Sequence, residues 1–195
     1  MTSFVAGFMI FLISHSANIF FQNLKTMLVK RVGLLLWKII VSLLAILGFV
    51  LMATHYHEAK SFSIALWSPS IPILYLSYIL NFFAIWLLVS AYIPRNVIKL
   101  KLKHPMILGV KTWAFGHLLV NGDTFSIFVF GMTLAWAVLS FRAARKILST
   151  VTTSSEKKYS IHASAATFFI GIMIWLYIIR AGHEYVAGIG LLVAT

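Results

Sequence analysis

The sequence predicts an all-α membrane protein, a polytopic transmembrane helix bundle with about six spans. Hydrophobic residues make up 61% of the 195 residues and charged residues only 10%, whereas a soluble domain usually carries about 25% charged residues. The mean hydropathy is +0.96. Apolar runs of about 17–22 residues recur along the chain, and runs of this length cross a hydrocarbon core of about 30 Å as helices. Too little of the chain is polar to cover a water-exposed surface, so lipid is the expected solvent.

Each predicted span is an apolar run that ends at a polar or turn-forming segment. The runs cover approximately Ser3–Phe21, Gly33–Thr54, Ile71–Tyr92, Pro105–Val120, Thr124–Phe141 and Ala163–Ile179. Asn121-Gly122-Asp123 predicts a tight turn, because Asn and Gly accept positive φ at little cost. The Ser/Thr/Lys-rich segment Ser149–Ser160 predicts a flexible loop, and Gly188–Ala194 is apolar but too short to span. We expect a single transmembrane domain over residues 1–195.

The basic residues predict the orientation of the bundle. The net charge is +12, and most of it follows spans one, three and five, at Lys25, Lys30, Arg31, Arg95, Lys99, Lys101, Lys103, Arg142, Arg145, Lys146, Lys157 and Lys158. These loops share one side of a six-span bundle, and the positive-inside rule makes that side cytoplasmic. We therefore expect a multi-pass inner-membrane protein with both termini in the periplasm. Because this charge pattern sets topology, nucleic-acid binding is not expected.

Several kinds of chemistry are excluded by composition. The chain has no cysteine, which rules out disulfides, thiol catalysis, thiolate-ligated haem and iron–sulfur clusters. It also lacks C-x-x-C-H, so covalent haem attachment of the c type is excluded. Only four residues are acidic, and none lies deep in a predicted span, which argues against proton pumping by buried carboxylates.

The candidate functional residues are polar side chains inside the spans, because burying them in lipid costs free energy. His15 lies in span one and His117 in span four. His15 is explained about equally by an interhelical hydrogen bond and by a role as a metal or haem ligand. For His117 the alternatives are a hydrogen bond across a helix interface packed through small residues and a role as an axial haem ligand. Trp113 lies one turn before His117 and shares its helix face.

Three further residues of span four are part of the candidate site. Gly109 and Gly116 are seven residues apart on one stripe, which would admit either another helix or a flat ring. Lys111 is expected to snorkel toward the cytoplasm, with pairing to an anionic group such as a haem propionate as the alternative.

The remaining histidines have weaker signals. His104 precedes Pro105 and is expected at the start of a helix, at the membrane interface. His55, His57 and Glu58 are expected in a solvated outer loop, although the spacing of the two histidines suits a metal in an extended segment. His183, beside Glu184 and just past span six, is a candidate second-rank ligand.

One stretch of the chain resembles the signature of the NnrU family. It runs from Ala91-Tyr92-Ile93-Pro94 through Lys103-His104-Pro105-Met106-Ile107-Leu108-Gly109-Val110-Lys111-Thr112-Trp113-Ala114 to His117-Leu118-Leu119-Val120-Asn121-Gly122-Asp123. His15-Ser16 and Ala135-Trp136-Ala137-Val138 are similar to the family pattern as well. The resemblance covers spans one to five, and the combined pattern is specific.

The resemblance implies a membrane-embedded haem b protein. Bacterial NnrU proteins are associated with nitrite and nitric oxide metabolism in denitrifiers. A remote plant relative, 15-cis-zeta-carotene isomerase, is a membrane enzyme that uses haem b held by histidine. The resemblance therefore implies His15 and His117 as the ligand positions, and it implies either isomerase-like cis–trans chemistry on a hydrophobic polyene or a nitric oxide- or nitrite-related role in sensing or electron transfer. The redox partner and the substrate stay open.

Two alternatives also stay open. The span limits place His15 and His117 about 10 Å apart in depth, so His55 or His183 could replace His15 as the second ligand. The chain could also be a non-haem small-solute transporter or an assembly factor for nitrogen-oxide metabolism, in which the histidines are structural. Transport is the less favoured alternative, because no repeated halves or paired broken helices are evident.

Overall fold

The computed structural model describes residues 1–17, 19–149 and 158–184, and these residues are almost entirely helical. The helices are α1 Thr2–Ser16, α2 Gln22–Val32, α3 Leu34–Ser61, α4 Ile71–Tyr92, α5 Val97–Leu102, α6 Pro105–Val120, α7 Thr124–Ser149 and α8 Ile161–Tyr177, and α8 continues into a π-helix, Ile178–Gly182. Within the described residues, one isolated antiparallel β-bridge pairs Ala65 with Asp123. The predicted all-α class is confirmed.

Four helices are long and apolar enough to cross a membrane: α3, α4, α7, and α8 together with its π-helix. The expected number of about six spans is not confirmed, because α1 and α6 are apolar but shorter. A helix of 15 or 16 residues rises only about 23 Å, less than the hydrocarbon thickness of about 30 Å. The predicted first span reached Phe21, but α1 ends at Ser16, whose carbonyl accepts hydrogen bonds from the backbone N–H groups of Ile19 and Phe20.

Several helices begin or end at residues other than those predicted from the sequence. Helix α3 continues to Ser61, so His55, His57 and Glu58 belong to a helix and not to the expected loop. Helix α7 continues past Phe141 to Ser149 and takes up Arg142 and Arg145. Helices α2 and α5 occupy connections that were expected to be irregular. Most of the predicted flexible loop, residues 150–157, and the apolar tail Gly188–Ala194 lie outside the described residues.

Small residues bring neighbouring helices into backbone contact. A Cβ added to Gly7 of α1 would lie 2.6 Å from Leu51 Cβ of α3, and one added to Gly48 would lie 2.7 Å from the Gly7 carbonyl oxygen. Helix α6 packs on α4 in the same way, and α4 contacts α8 through the Trp86 indole, which donates to Thr167 Oγ1 at 3.1 Å. Between lipid-exposed helices, such close packing and buried hydrogen bonds replace the hydrophobic effect as the source of association.

Most of the described basic residues lie at the end of the bundle opposite to Glu58 and Asp123, although Lys60 lies beside these two carboxylates. At one end, here called the acidic end, the Met1 ammonium pairs with Glu58 at 2.8 Å and Ser63 bonds to Asp123. At the other, the basic end, the Ser160 N–H donates to the Arg95 carbonyl, and Lys111 and Arg145 lie over Phe141. The contacts thus bring the basic connections together, as the positive-inside argument requires.

Asp123 caps α7 and ties the α3–α4 connection to it. Its Oδ1 accepts from the Ser126 N–H at 2.9 Å and from Ser63 Oγ at 2.5 Å, and its Oδ2 accepts from Ser126 Oγ at 2.6 Å. Burial alone would raise the pKa of Asp123, but the hydrogen bonds from Ser126 and Ser63 outweigh it and the pKa is lowered. A carboxyl with a lowered pKa stabilises the folded state above its unfolded pKa of about 3.9, and this contribution is lost as the pH falls through the folded value.

We therefore expect Asp123→Asn to lower the free energy of unfolding by about 1–2 kcal/mol at pH 7, because charge-assisted bonds at the cap are lost. The difference in the free energy of unfolding between wild type and Asp123→Asn should decrease as the pH falls below about 4. Thermal unfolding in detergent at pH 7 and at pH 3 measures both effects. A deficit that stays constant across this pH range would show that the ionised carboxylate is not what stabilises the cap.

Candidate functional site

His117 lies in the last turn of α6 and packs against two aromatic rings that also contact each other. Its ring centroid is 4.8 Å from that of Trp113 on α6 and 4.8 Å from that of Phe130 on α7. Nδ1 is 2.9 Å from the Trp113 carbonyl oxygen. Because a carbonyl can only accept, Nδ1 carries the proton, and in the neutral ring Nε2 keeps its lone pair. This is the tautomer in which an imidazole binds a metal through Nε2.

A second imidazole faces this site from another helix. The ring centroid of His183 is 6.5 Å from that of His117, and the ring planes are inclined by 23°. Two imidazoles on opposite sides of one iron have centroids about 6 Å apart, because each metal–nitrogen bond is about 2 Å long. The two rings of this structure are nearly parallel, and their centroid spacing is close to that value.

The π-helix Ile178–Gly182 comes directly before His183. A π-helical turn shifts the angular register of the residues that follow it, and such turns are frequent at functional sites. In the sequence, His183 is a weaker ligand candidate than His15, because it lies just past the apolar run of span six. No pattern in the sequence marks the π-helical turn, and α8 and α6 each pack against α4, which brings His183 near His117.

His15 lies at a different place from His117. Its Nδ1 is 2.8 Å from the Phe11 carbonyl oxygen, which selects the same tautomer, and its ring is exposed, 6.4 Å from the ring of Trp136 on α7. Trp136 and Phe130 are six residues apart on α7, which is about 9 Å along the helix and about 240° around it. None of the contacts described joins His15 to His117, so the structure does not bring the expected ligand pair together.

Gly109 and Gly116 contact α4. A Cβ on Gly109 would lie 2.9 Å from the Ala84 carbonyl oxygen, and a Cβ on Gly116 would lie 3.0 Å from Asn81 Nδ2. The groove that these glycines were expected to leave for a flat ring or a helix is thus occupied by a helix. Ser77 Oγ reinforces the contact by donating to the Gly116 carbonyl at 2.9 Å.

Lys111 and His104 lie at the basic end of α6. Lys111 Nζ is 5.7 Å from the centroid of the Phe141 ring, in the direction expected for a snorkelling lysine. His104 precedes the first residue of α6, and burial lowers its pKa. Its ring lies 6.5 Å from that of Phe141, far along α6 from His117, and the expected position at the start of a helix is confirmed.

Within residues 1–17, 19–149 and 158–184, no group of three or more His, Cys, Asp or Glu side chains converges as a metal site would require. His55 and His57 do not form one either, because residues two apart on a helix point in directions about 200° apart. The His117–His183 pair, with Trp113 and Phe130 beside it, is therefore the strongest ligand arrangement in the described structure.

Comparison with known proteins agrees with the signature in span four. No curated protein and no solved structure matches the chain. The family model for NnrU protein matches residues 3–191, which is nearly the whole chain and includes all the histidines discussed above. The chain is therefore a member of the NnrU family.

Proposed function

We propose that this protein binds haem b within the membrane and has a redox-linked role, with His117 as an axial ligand. The observation that carries the proposal is the imidazole of His117, which keeps its Nε2 lone pair, packs against two aromatic rings and has a second imidazole 6.5 Å away. The donor set fits a b-type haem, since two neutral imidazoles suffice as axial ligands and no covalent attachment is needed.

Each side chain of the site has a distinct task in this proposal. The backbone carbonyl of Trp113 orients the His117 ring and holds the proton on Nδ1. Trp113 and Phe130 provide flat apolar walls that exclude water from the ligand nitrogen. When bound, haem supplies an iron that exchanges single electrons and binds small ligands or an alkene.

The second axial ligand is either His183 or His15. His183 has its ring centroid 6.5 Å from that of His117, whereas His15 is the position implied by the family's plant relative and lies beside Trp136. The variants His183→Ala and His15→Ala separate these cases. The true ligand's variant should convert a six-coordinate, low-spin spectrum to a high-spin one, and the other variant should leave the spectrum unchanged.

The optical spectrum of the purified protein tests the proposal as a whole. Protein produced with an adequate haem supply should show a Soret band and a pyridine haemochrome of the b type. Absence of both would overturn the haem proposal and leave a non-haem transporter or an assembly factor for nitrogen-oxide metabolism as the remaining function. A nitric oxide-induced shift of the reduced spectrum would favour sensing, whereas conversion of an added cis-polyene would favour an isomerase.

We further propose that the protein lies in the inner membrane with its basic end in the cytoplasm and both termini in the periplasm. The gathering of basic connections at one end of the bundle supports this orientation. Because the chain has no native cysteine, single cysteines report cleanly on topology. We expect Lys101→Cys to react with an impermeant maleimide only after the cells are opened, and Ser61→Cys to react in intact spheroplasts. The reverse pattern would invert the proposed orientation.

A further inference from the structure

Helix α2 lies outside the bundle core. None of its residues is buried, and its contacts are mainly with the beginning of α3. Leu24, Met27 and Val32 are 47%, 46% and 41% exposed, while Lys25, Lys30 and Arg31 give the same helix three positive charges. A short helix that combines exposed apolar side chains with basic residues is typical of one lying in the membrane interface.

A cavity of about 390 Å³ opens between α2 and α3 at the basic end. It is lined by Lys25, Leu34, Trp37, Lys38, Val41 and Ser42. Two ammonium groups and a hydroxyl therefore share one opening with the indole of Trp37, which is only 9% exposed. Leu34 and Val41 make the wall toward the hydrocarbon apolar.

No acidic side chain among the described residues balances the positive charges of this cavity. Within the described residues neither Lys25 nor Lys38 forms an ion pair, and the contacts of Glu58 and Asp123 are at the opposite end of the bundle. Two neighbouring cations repel each other unless an anion lies between them. A phosphate group would supply that anion, and Ser42 could donate a hydrogen bond to it.

We propose that this cavity binds the headgroup phosphate of an anionic phospholipid. Lys25 and Lys38 contact the phosphate, and the acyl chains follow Leu34 and Val41 onto the exposed apolar surface of α3, where Leu35 is 74% exposed. The apolar wall identifies a lipid and not a free phosphate ion as the occupant. Basic pockets between helices on the cytoplasmic side bind anionic headgroups in the same way.

The test uses bromine-labelled lipids and the full-length protein in detergent micelles. Brominated phosphatidylglycerol should quench tryptophan fluorescence in a saturable manner, and brominated phosphatidylcholine should not. Lys25→Gln with Lys38→Gln should weaken phosphatidylglycerol binding about 30-fold, which is the effect of losing two lysines near the headgroup. Trp37→Phe should remove most of the saturable quenching.

Lys30→Gln with Arg31→Gln is the matched control, because it also removes two positive charges, both from α2, without altering the cavity lining. This control should bind phosphatidylglycerol with an affinity within about threefold of that of wild type, because charges outside the cavity attract the lipid only weakly. Equal losses in both double variants would overturn the proposal in favour of diffuse attraction. Competition by inorganic phosphate as effective as that by the lipid would also overturn it. Thermal unfolding of each variant checks that its fold is intact.

Discussion

Replacing His117 with alanine should remove most of the haem b that the wild-type protein carries. The reason is that His117 packs against the rings of Trp113 and Phe130 and has a second imidazole 6.5 Å away. Loss of an outer-shell partner of a metal ligand already costs about 10–100-fold in affinity, so loss of an axial ligand should cost more. The haem-to-protein ratio, measured from the pyridine haemochrome, should fall more than about tenfold.

Helix α6 itself should tolerate this change, because alanine is the best helix former and the protein should stay in the membrane. His104→Ala is the matched control. It removes an imidazole from the opposite end of α6, beside Phe141, and should keep the haem content near that of wild type. A full and unaltered haem spectrum in His117→Ala, together with loss of haem in His104→Ala, would place the cofactor at the basic end of α6 instead.

Substitution of Gly48 with alanine should separate α1 from α3 and destabilise the protein by about 3 kcal/mol. A Cβ at this position would lie 2.7 Å from the Gly7 carbonyl oxygen and 2.8 Å from the Phe11 N atom. Both are backbone atoms, so relief requires moving a whole helix and not a side chain. Overpacking of this kind costs about 1–3 kcal/mol, and the rigid neighbour favours the upper end of that range.

Gly131→Ala provides the control for Gly48→Ala. Gly131 lies inside α7, and a Cβ there meets nothing within 4 Å, so the same chemical change should stabilise the helix by about 1 kcal/mol. The unfolding temperature in detergent should therefore fall for Gly48→Ala and rise for Gly131→Ala. Equal unfolding temperatures would mean that the contact between Gly7 and Gly48 does not hold α1 against α3.

The helices whose ends carry local signals could be predicted closely from the sequence. The predicted ranges Ile71–Tyr92 and Pro105–Val120 coincide with α4 and α6, because proline occupies the first turn of each helix and α6 ends before the Asn121-Gly122-Asp123 turn. Helices α1 and α3 were misjudged, because the apolar run of α1 continues past its end and the polar residues after Thr54 still favour a helix. The family, too, was evident from a contiguous motif, and the match over residues 3–191 confirms it.

The sequence therefore determined the membrane class, most of the helices, the family and the candidate status of His117. The tertiary structure determined which residues meet. Whether Gly109 and Gly116 admit a ring or a helix depends on the neighbour of α6, and that neighbour is α4. Likewise, the approach of His183 to His117 follows from a π-helical turn and from helix packing. Contacts of this kind join residues far apart in the chain, and helical periodicity reports only on the face that each residue occupies along its own helix.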